Sequence, residues 1–292
     1  MAQSERWAVD ERRAVEALLK RHGFHFSKSR GQNFLVDRDV PRAIAEASGA
    51  DAACGVLEIG PGIGALSSEL CRRAGKVVAV ELDTALPPIL HETMAAFDNF
   101  SVVSGDVLKL DLPALVRERF AGLRPVVCAN LPYNITTPAL TAILKAGCFE
   151  SLTVLIQREV AQRICARPGT AAYGAFSVFM QYHTEPELCF EVPPEKFLPA
   201  PKVTSAVLRA AVRAVPPVET ADEAFFFRVV YAAFALRRKT LVNSLMTSFG
   251  ALGKARLAEL VVSCGLAEDV RGERLGLEEF ARLAGALREA EA

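Results

Sequence analysis

Short apolar runs alternate with segments of helical spacing through the middle of the chain. Residues 56–59, 77–81, 100–103, 125–129 and 152–157 are short, largely apolar runs bounded by turn residues, and each reads as a buried strand. Helical periodicity fills the intervals near 65–73, 88–96, 113–120 and 138–146. Strands that alternate with helices predict an α/β architecture, a parallel sheet built from right-handed crossovers. Ligands of such sheets bind at the carboxyl ends of the strands, so chemistry is sought in the loops that follow each run. From His183 to Val192 the pattern changes to a period of two, with Glu185, Glu187 and Glu191 set against Leu188, Phe190 and Val192. A second strand-like run covers 203–212, which predicts an antiparallel pair closing the sheet. After a proline-bearing linker at 213–218, Phe226, Val230 and Phe234, then Leu257, Leu260 and Val261, then Phe280, Leu283 and Leu287 recur at helical spacing and predict a small all-helical second domain.

Ahead of the sheet, Trp7, Val15, Leu18 and Leu19 fit a short amphipathic helix over about 5–20. The basic, aromatic segment from Gly23 to Leu35 reads as an ordered loop, and Asp37 and Asp39 open a helix running through Ala47.

Composition narrows the class. A chain of 292 residues with 51% hydrophobic content and a mean hydropathy of +0.22 has enough apolar mass for a core without disulfides or metals. The seven cysteines are scattered singly with no Cys-x-x-Cys, as expected of reduced thiols in a cytoplasmic protein. With His22, His25, His91 and His183 they make no ligand cluster, so no metal is expected. No secretory signal is visible at the start, and the long charge-free stretch at 125–144 is interrupted by Asn130, Pro132, Asn134 and Pro138, so no membrane partner is expected.

The 34 basic and 34 acidic residues cancel, but they are segregated. Lys20, Arg21, Lys28 and Arg30 form one acid-free run; Lys202, Arg209 and Arg213 form a second. A third holds Arg228, Arg237, Arg238, Lys239, Lys254 and Arg256. A surface polarised in this way can bind a polyanion despite zero net charge, although each run alone also fits a solvated face.

Candidate chemistry gathers at the strand ends. Leu57-Glu58-Ile59-Gly60-Pro61-Gly62-Ile63-Gly64 is a strand end, a glycine loop and a helix start, where backbone can approach a ligand closely. About twenty residues on, Glu81 at the next strand end is placed to accept from two ribose hydroxyls. Asp106, after the third strand, is placed to hold an adenine amine. Ala129-Asn130-Leu131-Pro132-Tyr133-Asn134 follows the fourth run. Pro132 disfavours helix at Leu131 and has no N–H, Asn130 carries an amide acceptor, and Tyr133 offers an aromatic face. That set suits a planar, amino-bearing ring.

Glycine loop, ribose acid, adenine acid and Asn-Leu-Pro-Tyr together resemble class I S-adenosylmethionine methyltransferases acting on the N6 amine of adenine. Gly31-Gln32-Asn33-Phe34-Leu35, Gln157-Arg158-Glu159-Val160, the Phe197 to Ser205 stretch with Pro199, Pro201, Lys202 and Val203, and Arg237-Arg238-Lys239-Thr240-Leu241 with Asn243, Ser244 and Leu245 extend the likeness. The chain is similar, from about 26 to 287, to the small-subunit rRNA adenine dimethyltransferases (the KsgA/RsmA family). The resemblance implies a Rossmann-like methyltransferase sheet, parallel with an antiparallel strand pair at the end, plus a small all-α C-terminal domain. It divides the chain into an N-terminal extension at 1–25, an S-adenosylmethionine-binding catalytic domain at 26–213 and a helical domain at 219–292.

By the same resemblance S-adenosyl-L-methionine is the methyl donor, contacted by Asn33, Leu35, Gly60, Gly62, Glu81, Asp106 and Asn130. The substrate is a pair of adjacent adenosines in a hairpin loop near the 3′ end of 16S rRNA in the immature small ribosomal subunit, each methylated twice, and the enzyme is expected to act as a monomer. Asn130, Leu131, Pro132 and Tyr133 would form the catalytic set, with Phe197 stacking on the second face of the base or serving as a core aromatic beside the proline turn. Arg237, Arg238, Lys239 and Lys202 would meet RNA phosphates. Two other functions share these motifs: a resistance-type adenine methyltransferase of large-subunit rRNA, and an assembly or checkpoint factor whose main role is to bind the immature small subunit.

Overall fold

A computed structural model describes residues 12–27 and 31–291. Trp7 and the earlier part of the expected first helix, together with Lys28 and Arg30 of the first basic run, lie outside the described residues. The chain divides into two compact units.

The first unit comprises the described part of 1–161 with Glu187–Val212. Its centre is a seven-stranded sheet of β2 (Cys54–Ile59), β3 (Lys76–Glu81), β4 (Phe100–Ser104), β5 (Arg124–Asn130), β6 (Ser151–Gln157), β7 (Thr184–Val192, of which Glu187 onward belongs to this unit) and β9 (Ser205–Val212), in the order β4-β3-β2-β5-β6-β9-β7. Neighbours from β4 to β6 are parallel, and β9 runs antiparallel to β6 with Gln157 opposite Ser205. Every residue of β2 is buried, because both faces of a parallel sheet are covered by the helices of its crossovers. Those helices are α3 (Ala65–Cys71), α4 (Pro87–Thr93), α5 (Leu112–Arg119) and α6 (Thr136–Ala146), while α2 (Asp39–Ala47), the helix expected after Asp37, precedes β2 in the chain. α5 starts where the carboxylate of Asp111 accepts from the backbone N–H of Ala114 at 2.9 Å, a side-chain cap.

Several elements were not expected, among them the helices α7 (Arg158–Ile164) and α8 (Ala175–His183). β1 (Phe34–Leu35) and β8 (Phe197–Leu198) form a separate two-stranded antiparallel ribbon, with Phe34 opposite Leu198 and Leu35 opposite Phe197. Helix α1 (Arg12–Arg21) buries Val15, Leu18 and Leu19 in the same apolar cluster as Phe34, Val36, Phe197 and Val207. Arg12 donates to the Phe197 carbonyl at 2.9 Å, and Arg21 and His22 meet Glu92 at 2.7 and 2.5 Å. The described part of the 1–25 extension is therefore packed into the first unit and is no separate segment.

The second unit holds Gln162–Pro186 and residues 213–291. This moves the expected boundary. Residues 162–186, assigned from sequence to a 26–213 domain, belong with the helices, because α8 (Ala175–His183) supplies aromatic rings to their core. Tyr182 lies 5.1 Å from Phe226, and Phe179 lies 5.4 Å from Phe227, both partners on α9 (Glu223–Phe234). The phenol of Tyr173 donates to the Leu275 carbonyl at 2.9 Å, tying the preceding loop to the same core. α10 (Leu241–Phe249), α11 (Lys254–Ser263) and α12 (Leu277–Glu291) complete the unit with the apolar positions expected from the sequence.

Candidate active site

The carboxyl ends of β2, β3 and β5, the loop after β4 and the ribbon strand β1 converge on one pocket within the first unit. Its wall includes Asn33, Leu35, Gly60, Gly62, Glu81, Asp106, Asn130, Leu131, Pro132 and Tyr133. These are all the expected cofactor residues and four of the five expected catalytic ones.

On the cofactor side, Gly62 sits at φ +59°, in the left-handed region. A Cβ there would come within 2.9 Å of the Phe34 ring, so the glycine loop and β1 are in close contact. Glu81 is buried at the end of β3, where one carboxylate oxygen accepts from the Asp83 N–H at 2.7 Å. Burial pushes its pKa up, opposed by that backbone hydrogen bond. Asp83 also accepts from the side-chain amide of Gln32 at 2.7 Å, and Gln32 in turn accepts from the Ser27 N–H at 2.9 Å. Asp106 stabilises its own loop by accepting from the Leu108 N–H at 3.0 Å.

Glu58 is the residue that sequence reasoning passed over. It lies in the fully buried strand β2 and lines the pocket, and its Oε2 has no hydrogen-bond partner among the described residues. Burial pushes its pKa up to about 8, with the nearby Ser67 hydroxyl opposing the rise and the charge of Glu81 adding to it, so near pH 7 the group is largely the neutral acid. An acid inside an otherwise apolar parallel strand, Val56-Leu57-Glu58-Ile59, was the available signal.

On the substrate side, β5 ends at Asn130, and the N–H of Leu131 donates across to the Leu155 carbonyl on β6 at 3.1 Å. The side-chain amide of Asn130 donates to the main-chain carbonyl of Asn33 at 3.1 Å. That bond commits the nitrogen end of the amide, which leaves the oxygen end as the acceptor. Tyr133 begins a single turn of 3-10 helix, and its hydroxyl lies 2.6 Å from that of Ser205. Burial pushes the phenol's pKa up, so it keeps its proton.

Phe197 corrects an expectation. Its side chain is fully buried in the apolar cluster beneath the β1–β8 ribbon and lines no part of the pocket, so the arrangement is that of the core aromatic. Pairing with Leu35 sends the ring inward. Lys202 is exposed in the loop between β8 and β9. Arg237, Arg238 and Lys239 are exposed in the second unit between α9 and α10, where Arg237 also donates to the Ala171 carbonyl. Among the described residues no group of three or more His, Cys, Asp or Glu is placed to hold a metal ion.

The family model for ribosomal RNA adenine dimethylase matches residues 23–286. The chain belongs to that family. It is 46% identical over 276 residues to the ribosomal RNA small subunit methyltransferase A of Shouchella clausii, covering 94% of this chain and 93% of the relative. The corresponding protein of Streptococcus pneumoniae is 47% identical over 278 residues, covering 94% and 96%. Among solved structures, the 23S rRNA methyltransferase ErmE aligns at 27% identity and a TM-score of 0.66, over 87% of this chain and 99% of its own. A Plasmodium falciparum dimethyladenosine transferase shares the fold at a TM-score of 0.73 and 20% identity, over 88% and 98%. Family membership makes the chain an rRNA adenine dimethyltransferase and implies S-adenosylmethionine as methyl donor. The pocket suits that donor: it has a glycine loop open to close approach, a buried carboxylate, Glu81, at the end of β3, and a buried carboxyl oxygen of Glu58 without a hydrogen-bond partner among the described residues.

Proposed function

We propose that the protein dimethylates the N6 amines of two adjacent adenosines in a hairpin loop near the 3′ end of 16S rRNA, in the immature small ribosomal subunit and in the cytoplasm, acting as a monomer. The observation that carries the site assignment is the Asn130 to Asn33 hydrogen bond. It joins the adenine-binding strand end to the cofactor loop and orients the amide oxygen for an incoming amine. The names of relatives 46% and 47% identical over nearly the whole chain support the small subunit as substrate over the large-subunit alternative.

S-adenosylmethionine would be held by Asn33, Leu35, Gly60, Gly62, Glu81, Asp106 and Asn130, and supplies a methyl group carried on a sulfonium. The chain's own residues act on the base. The side-chain oxygen of Asn130 and the carbonyl of Leu131 accept from the two N–H groups of the adenine amine. This favours a pyramidal nitrogen with its lone pair directed at the methyl carbon, and stabilises positive charge as it develops. Bound there, the sulfonium would give its methyl to that nitrogen and keep the electron pair of the broken C–S bond. Asn130 is neutral and orients without deprotonating, so the proton leaves nitrogen after transfer. Tyr133 stacks on the unstacked base, an interaction worth roughly 1–3 kcal/mol. Arg238, Lys239 and Lys202 meet phosphates, with Arg237 divided between RNA and the Ala171 carbonyl.

The second transfer starts with one amine hydrogen fewer, so Asn130→Ala should impair the second step at least as much as the first. Nucleoside analysis after single-turnover reaction checks this; normal dimethyladenosine from the variant would defeat the assignment.

A further inference from the structure

The 2.6 Å contact between the hydroxyls of Tyr133 and Ser205 joins two groups of very different freedom. Ser205 is fully buried and is the first residue of β9, opposite Gln157 at the end of β6. The carbonyl of Thr204 next to it accepts from the Arg158 N–H at 3.0 Å. The sheet thus dictates where the Ser205 hydroxyl stands. Tyr133 follows Pro132 in a turn of three residues, none of them buried, and its ring forms part of the pocket wall. The torsion that turns a tyrosine ring is broad, so a ring packed only at its base can rock. A hydrogen bond at the far end of the ring removes that motion.

We propose that Ser205 is a positioning residue which, through the hydroxyl of Tyr133, fixes the tilt of the aromatic platform and thereby secures the second methyl transfer to the same amine. The proposal rests on the reading of Tyr133 as the surface on which adenine stacks. In the first transfer the amine offers two N–H groups, to Asn130 and to the Leu131 carbonyl, and two anchor points set the orientation of the base in its own plane. In the second transfer one N–H has been replaced by a methyl group. A single hydrogen bond leaves the base free to pivot, and the stacking surface must supply the missing restraint. A rocking tyrosine supports a base held at two points but not one held at one, so the Tyr133–Ser205 bond acts on the balance between monomethyl and dimethyl product.

The test compares Ser205→Ala, Tyr133→Phe and the double variant with the parent enzyme, at saturating S-adenosylmethionine, on small subunits lacking the modification. First-step and second-step rates are read from monomethyl- and dimethyladenosine over time. Each single variant should slow the second step about fivefold more than the first, roughly the worth of one hydrogen bond, with accumulation of monomethyladenosine. S-adenosylmethionine affinity, measured by calorimetry, should be unchanged. Because both groups act through one bond, the double variant should be no slower than the slower single. Equal loss at both steps, multiplied losses in the double variant, or an unchanged product ratio would overturn the proposal. If Ser205→Ala fails to fold, Tyr133→Phe, which leaves Ser205 in place, carries the same product-ratio test. Asn130→Ala run beside them separates the two levels. Full dimethylation by that variant removes the underlying site assignment, whereas its inactivity with unchanged product ratios in Ser205→Ala and Tyr133→Phe removes only the role of Ser205.

Discussion

Replacing Gly62 by alanine tests how tightly the cofactor loop is keyed to the rest of the pocket. The backbone there has φ +59°, and the added Cβ would lie 2.9 Å from Cδ1 and 3.0 Å from Cε1 of Phe34. Holding an L-residue in left-handed geometry costs about 1–2 kcal/mol. Overpacking a filled site adds about 1–3 kcal/mol, because Phe34 cannot swing freely: its ring is buried and lies 5.6 and 5.4 Å from the rings of Phe24 and Phe26. The lower entropy of the unfolded alanine chain returns about 0.4–1 kcal/mol. The net is about 1–4.6 kcal/mol, and at about 2 °C per kcal/mol for a chain of this size the melting midpoint should fall by roughly 2–9 °C. The site should suffer with the fold. Phe34 lies between Asn33 and Leu35, so displacing its ring moves the carbonyl that holds Asn130. A shift of that bond should weaken S-adenosylmethionine binding about tenfold, the equivalent of about 1.4 kcal/mol. Gly147→Ala is the control. It has φ +61° with nothing within 4 Å of a new Cβ, so it bears only the backbone strain. Thermal melts and titration calorimetry on both variants decide the matter. A Gly62→Ala protein that melts with Gly147→Ala and binds S-adenosylmethionine like the parent would refute the claim that Phe34 transmits the contact.

Three other outcomes are expected. Glu58 has a folded-state pKa raised to about 8, so its stabilising contribution is present at low pH and is lost as pH rises from the ordinary carboxyl range through about 8. The neutral isostere Glu58→Gln should match the parent near pH 4, below the ordinary carboxyl pKa, and exceed its stability at pH 9, by on the order of a few kcal/mol in denaturant melts; equal pH dependence in the two proteins would contradict a buried, raised carboxyl. Arg238→Ala with Lys239→Ala should weaken binding to rRNA and flatten the slope of log affinity against log salt by roughly 1.5, at unchanged S-adenosylmethionine affinity. An unaltered slope would return these side chains to the status of a solvated loop. Arg237→Ala should in addition lower the melting midpoint, because it loses a partner on the Ala171 carbonyl.

What was legible in the sequence depended on how local its cause is. The strands from β2 to β6 stood out because a parallel strand buried on both faces is apolar along its length, and the glycine loop and the acids at 81 and 106 occupy strand ends that the same pattern marks. The β1–β8 ribbon did not stand out. Each strand is two residues long, too short for any period, and its partner lies more than 150 positions away. That omission misled the reading of Phe197, whose inward direction follows from pairing with Leu35. The second unit's claim on residues 162–186 was equally hidden, because the aromatic rings of α8 fit either a sheet cover or a helical core until α9 is in place. The Asn130–Asn33 and Tyr133–Ser205 bonds join motifs visible one by one, and only the fold says that they touch.

The most direct test of the account is transfer of labelled methyl from S-adenosylmethionine to purified unmodified small subunits, unmodified large-subunit rRNA and DNA, with Asn130→Ala in parallel and nucleoside analysis of the products. The expected result is dimethyladenosine in the small subunit alone, lost in the variant. Label on large-subunit rRNA, or small subunits that are bound but left unlabelled, would contradict it.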